Sequence, residues 1–355
     1  MSHRLLYLDV LRIIAIIAVV MIHVSNKFLT EPMSDTTPFL WYVSCAYYSF
    51  SRWAVPVFCM ISGALFLDGK QNIPIKMLYK KYIYRIFISF VFWSIVYAVY
   101  VNFGNDWHKL STIKTFIGDV VHGHYHLWFL WMIGGLYISF PILKLIYNDK
   151  KILKYYLTIM LVYAFLIPFF FDLSHSFGFL ENFMDKVWSG YAKMNLHLVL
   201  GYVGYFLIGG FLKNYDFSKM FRRVIYFGCV LSFIFIFLLT SILHENDVDY
   251  YNVNGTFLNY QGLLVFVMSI GVFVFTKNLS FISNLNSGWI EFLAKNVFGV
   301  YLIHIFVLDF FVDRNLLNYF TPIWGIPFLT IMIFLVSIGI VMCLRKILPY
   351  SKYLV

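Results

Sequence analysis

The chain has 355 residues, of which 61% are apolar and only 12% charged, and it carries a net charge of +10. A soluble domain is about 25% charged, so this composition excludes a water-soluble globular protein and makes lipid the solvent for most of the surface. The surplus Lys and Arg lie in short loops between apolar runs, the distribution that anchors loops in the cytoplasm, and no basic stretch has the pattern of a nucleic-acid module, so no nucleic-acid partner is expected. Cys45, Cys59, Cys229 and Cys343 fall inside apolar segments without disulfide or metal-ligand spacing and read as packing residues.

The apolar run after Arg4 is followed by no small-residue cleavage site and reads as a retained first span. At about 20 apolar residues per span, the sequence predicts about ten spanning helices. They cover residues 10–28, 40–67, 82–103, 127–147, 153–171, 196–212, 224–243, 257–276, 290–311 and 323–344. The expected fold is an all-α integral membrane protein, a single transmembrane domain over residues 1–355 with no appended soluble domain. The second span is long, and Ser51, Arg52 and Pro56 are placed to tilt or break it.

An N-terminus in the cytoplasm puts every basic cluster on that side: Lys70, Lys76, Lys80 and Lys81; Lys150, Lys151 and Lys154; Lys213, Lys219, Arg222 and Arg223; Arg345, Lys346 and Lys352. The opposite loops hold Glu31, Asp35, Asp106, Asp119, Asp172, Glu181, Asp185, Glu245, Asp247 and Asp249. Both termini are therefore expected in the cytoplasm, in a multi-pass protein of the cytoplasmic (inner) membrane. The longer outer loops, residues 104–125, 172–195 and 244–256, contain Trp107, Trp188, Tyr250 and Tyr251, which suit a sugar-binding rim and equally an aromatic belt at the headgroups.

Ionisable groups inside spans cost about 2.5–3.5 kcal/mol each on insertion scales and tend to mark function. In the first span Asp9 and Arg12 are three apart and share a face. His23 follows Arg12 by eleven residues, about 20° off alignment and roughly 16 Å along the axis. The three form one stripe, which fits an active site or a structural ion pair beside a buried, satisfied histidine. Arg52 sits deep in the second span, and Ser62-Gly63 allow close backbone approach. The third span opens with Lys80, Lys81 and, further in, Arg85. His122, His124 and His126 alternate at the start of the fourth; no obvious carboxylate supports them, so no metal is expected. The ninth carries Glu291 and Lys295 near its inner end and Tyr301 and His304 towards its outer half. The topology thus predicts a basic inner vestibule leading to a histidine-lined outer site.

At these residues the chain resembles the acyltransferase family 3 membrane proteins. The matching motifs are Asp9, Arg12 and His23; Arg52 ahead of Val55-Pro56-Val57-Phe58 and Ser62-Gly63; His126-Leu127-Trp128-Phe129-Leu130; and Tyr301 with His304, in the family's order. Within the family it looks most like the stand-alone glycan O-acetyltransferases, such as those acting on enterobacterial common antigen. The resemblance implies transfer of an acetyl group from cytoplasmic acetyl-CoA to a hydroxyl of an extracytoplasmic cell-surface glycan. It makes Arg12 and His23 the essential pair, with Arg52 beside them, and His126, Trp128, Tyr301 and His304 acceptor-side positions. Arg85, with Lys80, Lys81 and the Asp9 that holds Arg12, forms the donor entrance. His23 then serves as general base or takes the acetyl group itself, and Arg52 stabilises the oxyanion. One departure stands out: many members have an Arg-x-x-Arg in the third span, and here Tyr82 precedes Arg85 by three. The remaining readings are a polysaccharide or lipid-linked sugar transporter or flippase, which would favour an internal repeat that the sequence lacks, and a non-acetyl donor such as succinyl-CoA.

Overall fold

The computed structural model describes residues 5–30, 37–67, 73–104, 109–194, 201–245, 256–347 and 351–355. Among the described residues all regular structure is helical, as expected of an all-α membrane protein. Eight helical segments are long and apolar enough to cross a bilayer. They are Leu6–Thr30 (α1), Pro38–Phe66 (α2, Pro38–Ser51, and α3, Ala54–Phe66), Ile75–Val101 (α4), Ser111–Asn148 (α5, Leu110–His122, and α6, Trp128–Asn148), Lys150–Phe177 (α7), Lys219–Glu245, Ser287–Asp313 and Pro322–Ile347.

The other two of the ten expected spans are shorter helices among the described residues, Val203–Asn214 and Leu263–Lys277. Gly201 takes a left-handed φ of 80° ahead of the first, a conformation open to glycine that helix interiors exclude. Before the second, the Asn259 side chain accepts from the Gln261 amide at 2.9 Å; this local turn delays the helix to Leu263. The loops expected on the outer side are helical in part. They contain α5 and, at Glu181–Lys193, α8. In chain order the later helices are α9 (Val203–Asn214), α10 (Lys219–Glu245), α11 (Leu263–Lys277), α12 (Ser287–Asp313), α13 (Pro322–Ile347) and the short α14 (Ser351–Leu354). Trp107, Tyr250 and Tyr251, like Glu31, Asp35, Lys70, Asp106, Asp247 and Asp249, lie outside the described residues. Trp188 on α8 stacks on Phe171 at 4.4 Å and on Tyr191 at 4.7 Å, so its ring is held between neighbours rather than free in an open rim.

The expected break in the second span occurs at Arg52-Trp53, between α2 and α3. Pro56 has no amide hydrogen for the Arg52 carbonyl four residues back, so the helix opens there. α1 is the centre of the bundle, packed against α2, α3, α12 and α13. α3 lies against α9, and the small residues at their contact are required: a Cβ on Gly63 would run into the Phe206 carbonyl, and one on Gly209 into the backbone of Met60. Such pairs let membrane helices gain van der Waals contact where lipid supplies no hydrophobic drive. On the outside, α10 exposes Phe227, Val230, Phe235 and Leu238, a face suited to lipid tails.

Candidate active site

One cavity of about 740 Å³ runs beside α1, and its lining includes both Arg12 and His23. Two members of the stripe read from spacing, Arg12 and His23, therefore share one continuous space. Arg12 Nη1 meets Asp9 Oδ1 at 2.8 Å, with the Asp9 side chain only 3% exposed. A buried carboxylate is tolerable when paired; Asp9 is spent on orienting Arg12 and does not itself line the cavity.

Around Arg12 the cavity has a basic end. Its described lining contains Arg12, Arg85, Lys295 and Arg345, and no Asp or Glu. Arg85 follows a π-helical turn at Leu78–Ile83, a widening that shifts the register of the residues after it and recurs at functional sites. Its guanidinium carbon lies 4.8 Å from the centre of the Phe298 ring, and its Nε is buried without a hydrogen-bond partner among the described residues. Lys295 pairs with Glu291 at 2.7 Å. Arg345 Nη2 donates to the Lys295 carbonyl at 2.8 Å, which ties α13 to α12. α14 closes against this end, held on α4 by Trp93 Nε1 donating to the Leu354 carbonyl at 2.8 Å. Lys80 and Lys81 are exposed and do not line the cavity.

The opposite end is built on histidines. α5 stops at Gly123, whose φ of 75° is left-handed and where a Cβ would collide with the Phe90 ring. The following 3-10 turn, Tyr125–Leu127, rolls His126 inward to 3% exposure. His124 Nδ1 and His126 Nδ1 are 2.9 Å apart, so one donates to the other. The Tyr301 hydroxyl donates to the His126 carbonyl at 2.6 Å, leaving its ring, not its oxygen, as the cavity surface. His23 and His126 both line the cavity; His304 stands behind them, with ring centres 5.2 Å from His23 and 5.5 Å from His126. Among the described residues no group of three or more His, Cys, Asp or Glu side chains is arranged to hold a metal.

Arg52 does not line the cavity. Its Nε donates to the Leu258 carbonyl at 2.6 Å and its Nη1 to the Tyr48 hydroxyl at 3.1 Å. Its guanidinium lies 3.8 Å from the centre of the Tyr260 ring, and Tyr260 and Trp128 form the adjacent cavity wall. The Arg52 cation thus holds the helix break and the Tyr260 loop together. Between the two ends the walls are apolar, with Phe58, Ile61, Leu65 and Ile133.

The structure brings together Arg12, His23, Arg85, His126, Trp128 and Tyr301 on one cavity. Lys295, Arg345 and Tyr260 join them. The signal for Arg345 was in the sequence, as a basic residue ending the last span, but it carried only the topology reading. A family model described as an acyltransferase domain matches residues 5–342, nearly the whole chain, so the protein belongs to that acyltransferase family. No curated protein and no solved structure matches the chain.

Proposed function

From membership in that family, we propose that this multi-pass membrane protein moves an acetyl group from cytoplasmic acetyl-CoA to a hydroxyl of an extracytoplasmic glycan, across the inner membrane. The observation that carries the reading is the single cavity with four cations at one end and His23 at the other. A CoA thioester matches that polarity: phosphates at one end, a thin pantetheine arm, and an uncharged acyl group at the tip. Arg12, Arg85 and Arg345 face the phosphates, since guanidinium groups pair with phosphate in bidentate geometry. The apolar middle holds the arm and brings the thioester to His23.

In the transfer the acceptor hydroxyl oxygen attacks the thioester carbon as His23 takes the hydroxyl proton. The tetrahedral intermediate collapses, the C–S bond breaks, and the departing sulfur receives the proton from His23. A positioned base contributes about 10²–10⁴-fold. Trp128 and Tyr260, lying within 26° of parallel with centres 6.0 Å apart, give the sugar an aromatic wall on the acceptor side. The direct test is purified protein with labelled acetyl-CoA and a glycan acceptor. The wild type forms acetylated glycan, and a His23→Ala protein that inserts and melts normally loses at least about 10²-fold in kcat. A His23→Ala protein acetylating at the wild-type rate refutes the base role; substrate crossing the membrane unmodified would identify a transporter instead.

A further inference from the structure

His304 lies behind the proposed base, fully buried and off the cavity wall. Its Nδ1 is 2.8 Å from the Tyr301 carbonyl and 3.2 Å from the Val300 carbonyl, both one turn back on α12. A carbonyl oxygen only accepts. Nδ1 must therefore carry the hydrogen, and in a neutral imidazole that leaves Nε2 as a bare lone pair. This Nε2 is buried and has no hydrogen-bond partner among the described residues. A buried acceptor left unsatisfied costs about 1–3 kcal/mol, so the site is built to receive a donor.

The donors within reach are few. The Tyr301 hydroxyl is committed to the His126 carbonyl, and a His126 tautomer with its hydrogen on Nδ1, donated to His124, leaves its Nε2 an acceptor as well. The ring nearest to His304 is His23, at 5.2 Å between centres, a spacing that allows an N–H···N contact once the two nitrogens are turned towards each other. Catalytic hydrogen bonds are often loose before substrate binds and tighten with it.

We infer that His304 is a positioning residue: its Nε2 accepts the N–H of His23, which fixes the tautomer of His23 so that its other ring nitrogen faces the cavity as a lone pair. This rests on the proposed role of His23. The backbone carbonyls of Val300 and Tyr301 set the tautomer of His304, and His304 sets that of His23. When His23 takes the hydroxyl proton it becomes an imidazolium with two N–H groups, one held by His304 Nε2 and the other directed at the leaving sulfur, to which it passes that proton. The arrangement does the orienting work that a buried carboxylate does in a serine-hydrolase triad, with a neutral acceptor that adds no negative charge to the membrane interior.

The test compares His304→Phe, which keeps an aromatic ring and removes the lone pair, with His304→Gln, whose side-chain oxygen accepts near the place of Nε2. Each is assayed in the full-length protein for kcat, for the KM of acetyl-CoA, and for binding of acetyl-CoA by calorimetry. His304→Phe is expected to lower kcat about 10²-fold with KM and donor binding within about twofold of wild type, and His304→Gln to recover at least about tenfold of that loss. Equal kcat in both variants, or a loss that appears in KM or donor binding, overturns the inference. His23→Ala run in parallel separates the two levels. An inactive His23→Ala beside a fully active His304→Phe refutes only the positioning role, whereas an active His23→Ala, or a wild type without transfer, removes the reading on which it rests.

Discussion

Arg85→Ala tests the donor end of the cavity most sharply. The guanidinium lines the cavity with Arg12, Lys295 and Arg345, no Asp or Glu side chain shares the described lining, and its Nε is buried without a partner among the described residues. An anionic oxygen bound there forms charge-assisted hydrogen bonds, worth about 1.5–3 kcal/mol each when one partner is ionised. Losing one such bond raises Kd about 10–150-fold at 1.4 kcal/mol per decade. The lower half of that range is expected, because three neighbouring cations remain. The assay is calorimetric titration of the purified protein with two ligands: acetyl-CoA, and S-acetyl-pantetheine, which has the same arm and thioester but no phosphate. Acetyl-CoA should weaken by about 10–50-fold and acetyl-pantetheine by less than twofold. The discrimination should shrink as salt rises, to the extent that water reaches the pair. Equal weakening of both ligands would show that Arg85 shapes the cavity and does not read the phosphates. An unchanged affinity for acetyl-CoA, or a rise confined to the acceptor KM, would refute the assignment of this end to the donor.

Two further predictions concern the scaffold. Gly63→Ala forces a Cβ into the Phe206 carbonyl, whereas a Cβ at Gly118 meets nothing within 4 Å; backbone has little room to yield, so Gly63→Ala should destabilise by about 1–3 kcal/mol and Gly118→Ala by none, measured as melting in detergent. Lys277 Nζ donates to the Leu212 and Tyr215 carbonyls at 3.0 and 2.9 Å and pairs with Asp216 at 2.8 Å, so Lys277→Met should lower the melting temperature more than Asp216→Asn, whose carboxylate is exposed and screened. Hydrogen bonding and charge from Lys277 hold the Asp216 carboxyl below its usual range. A depressed acid contributes above its unfolded pKa, near 3.9, and loses that contribution as pH falls through its folded value. The wild-type advantage over Asp216→Asn should therefore persist at neutral pH and vanish in strong acid; an advantage that grew on acidification would contradict the pair.

What the sequence made legible follows from which physical constraint acts locally. The stripe Asp9, Arg12, His23 was readable because helix geometry alone sets its alignment, and lipid forbids irregular backbone in a span. The break at Arg52 was readable because Pro56 removes one specific hydrogen bond. The helix Leu110–His122 was not, since Lys114, Asp119 and His122 bring its composition below that of a span and its amphipathic pattern lies in what reads as a loop. Arg345 was legible only as topology, because its partners on α12 and its approach to Arg85 across the cavity join residues far apart in the chain. His304 shows the limit most clearly. Topology placed it in the outer half of its span, but its chemistry depends on which nitrogen is bare, and that is decided by two carbonyls of its own helix together with a neighbouring ring from α1. A one-dimensional pattern can show that a histidine is present in a span; only packing can decide which of its nitrogens holds the proton.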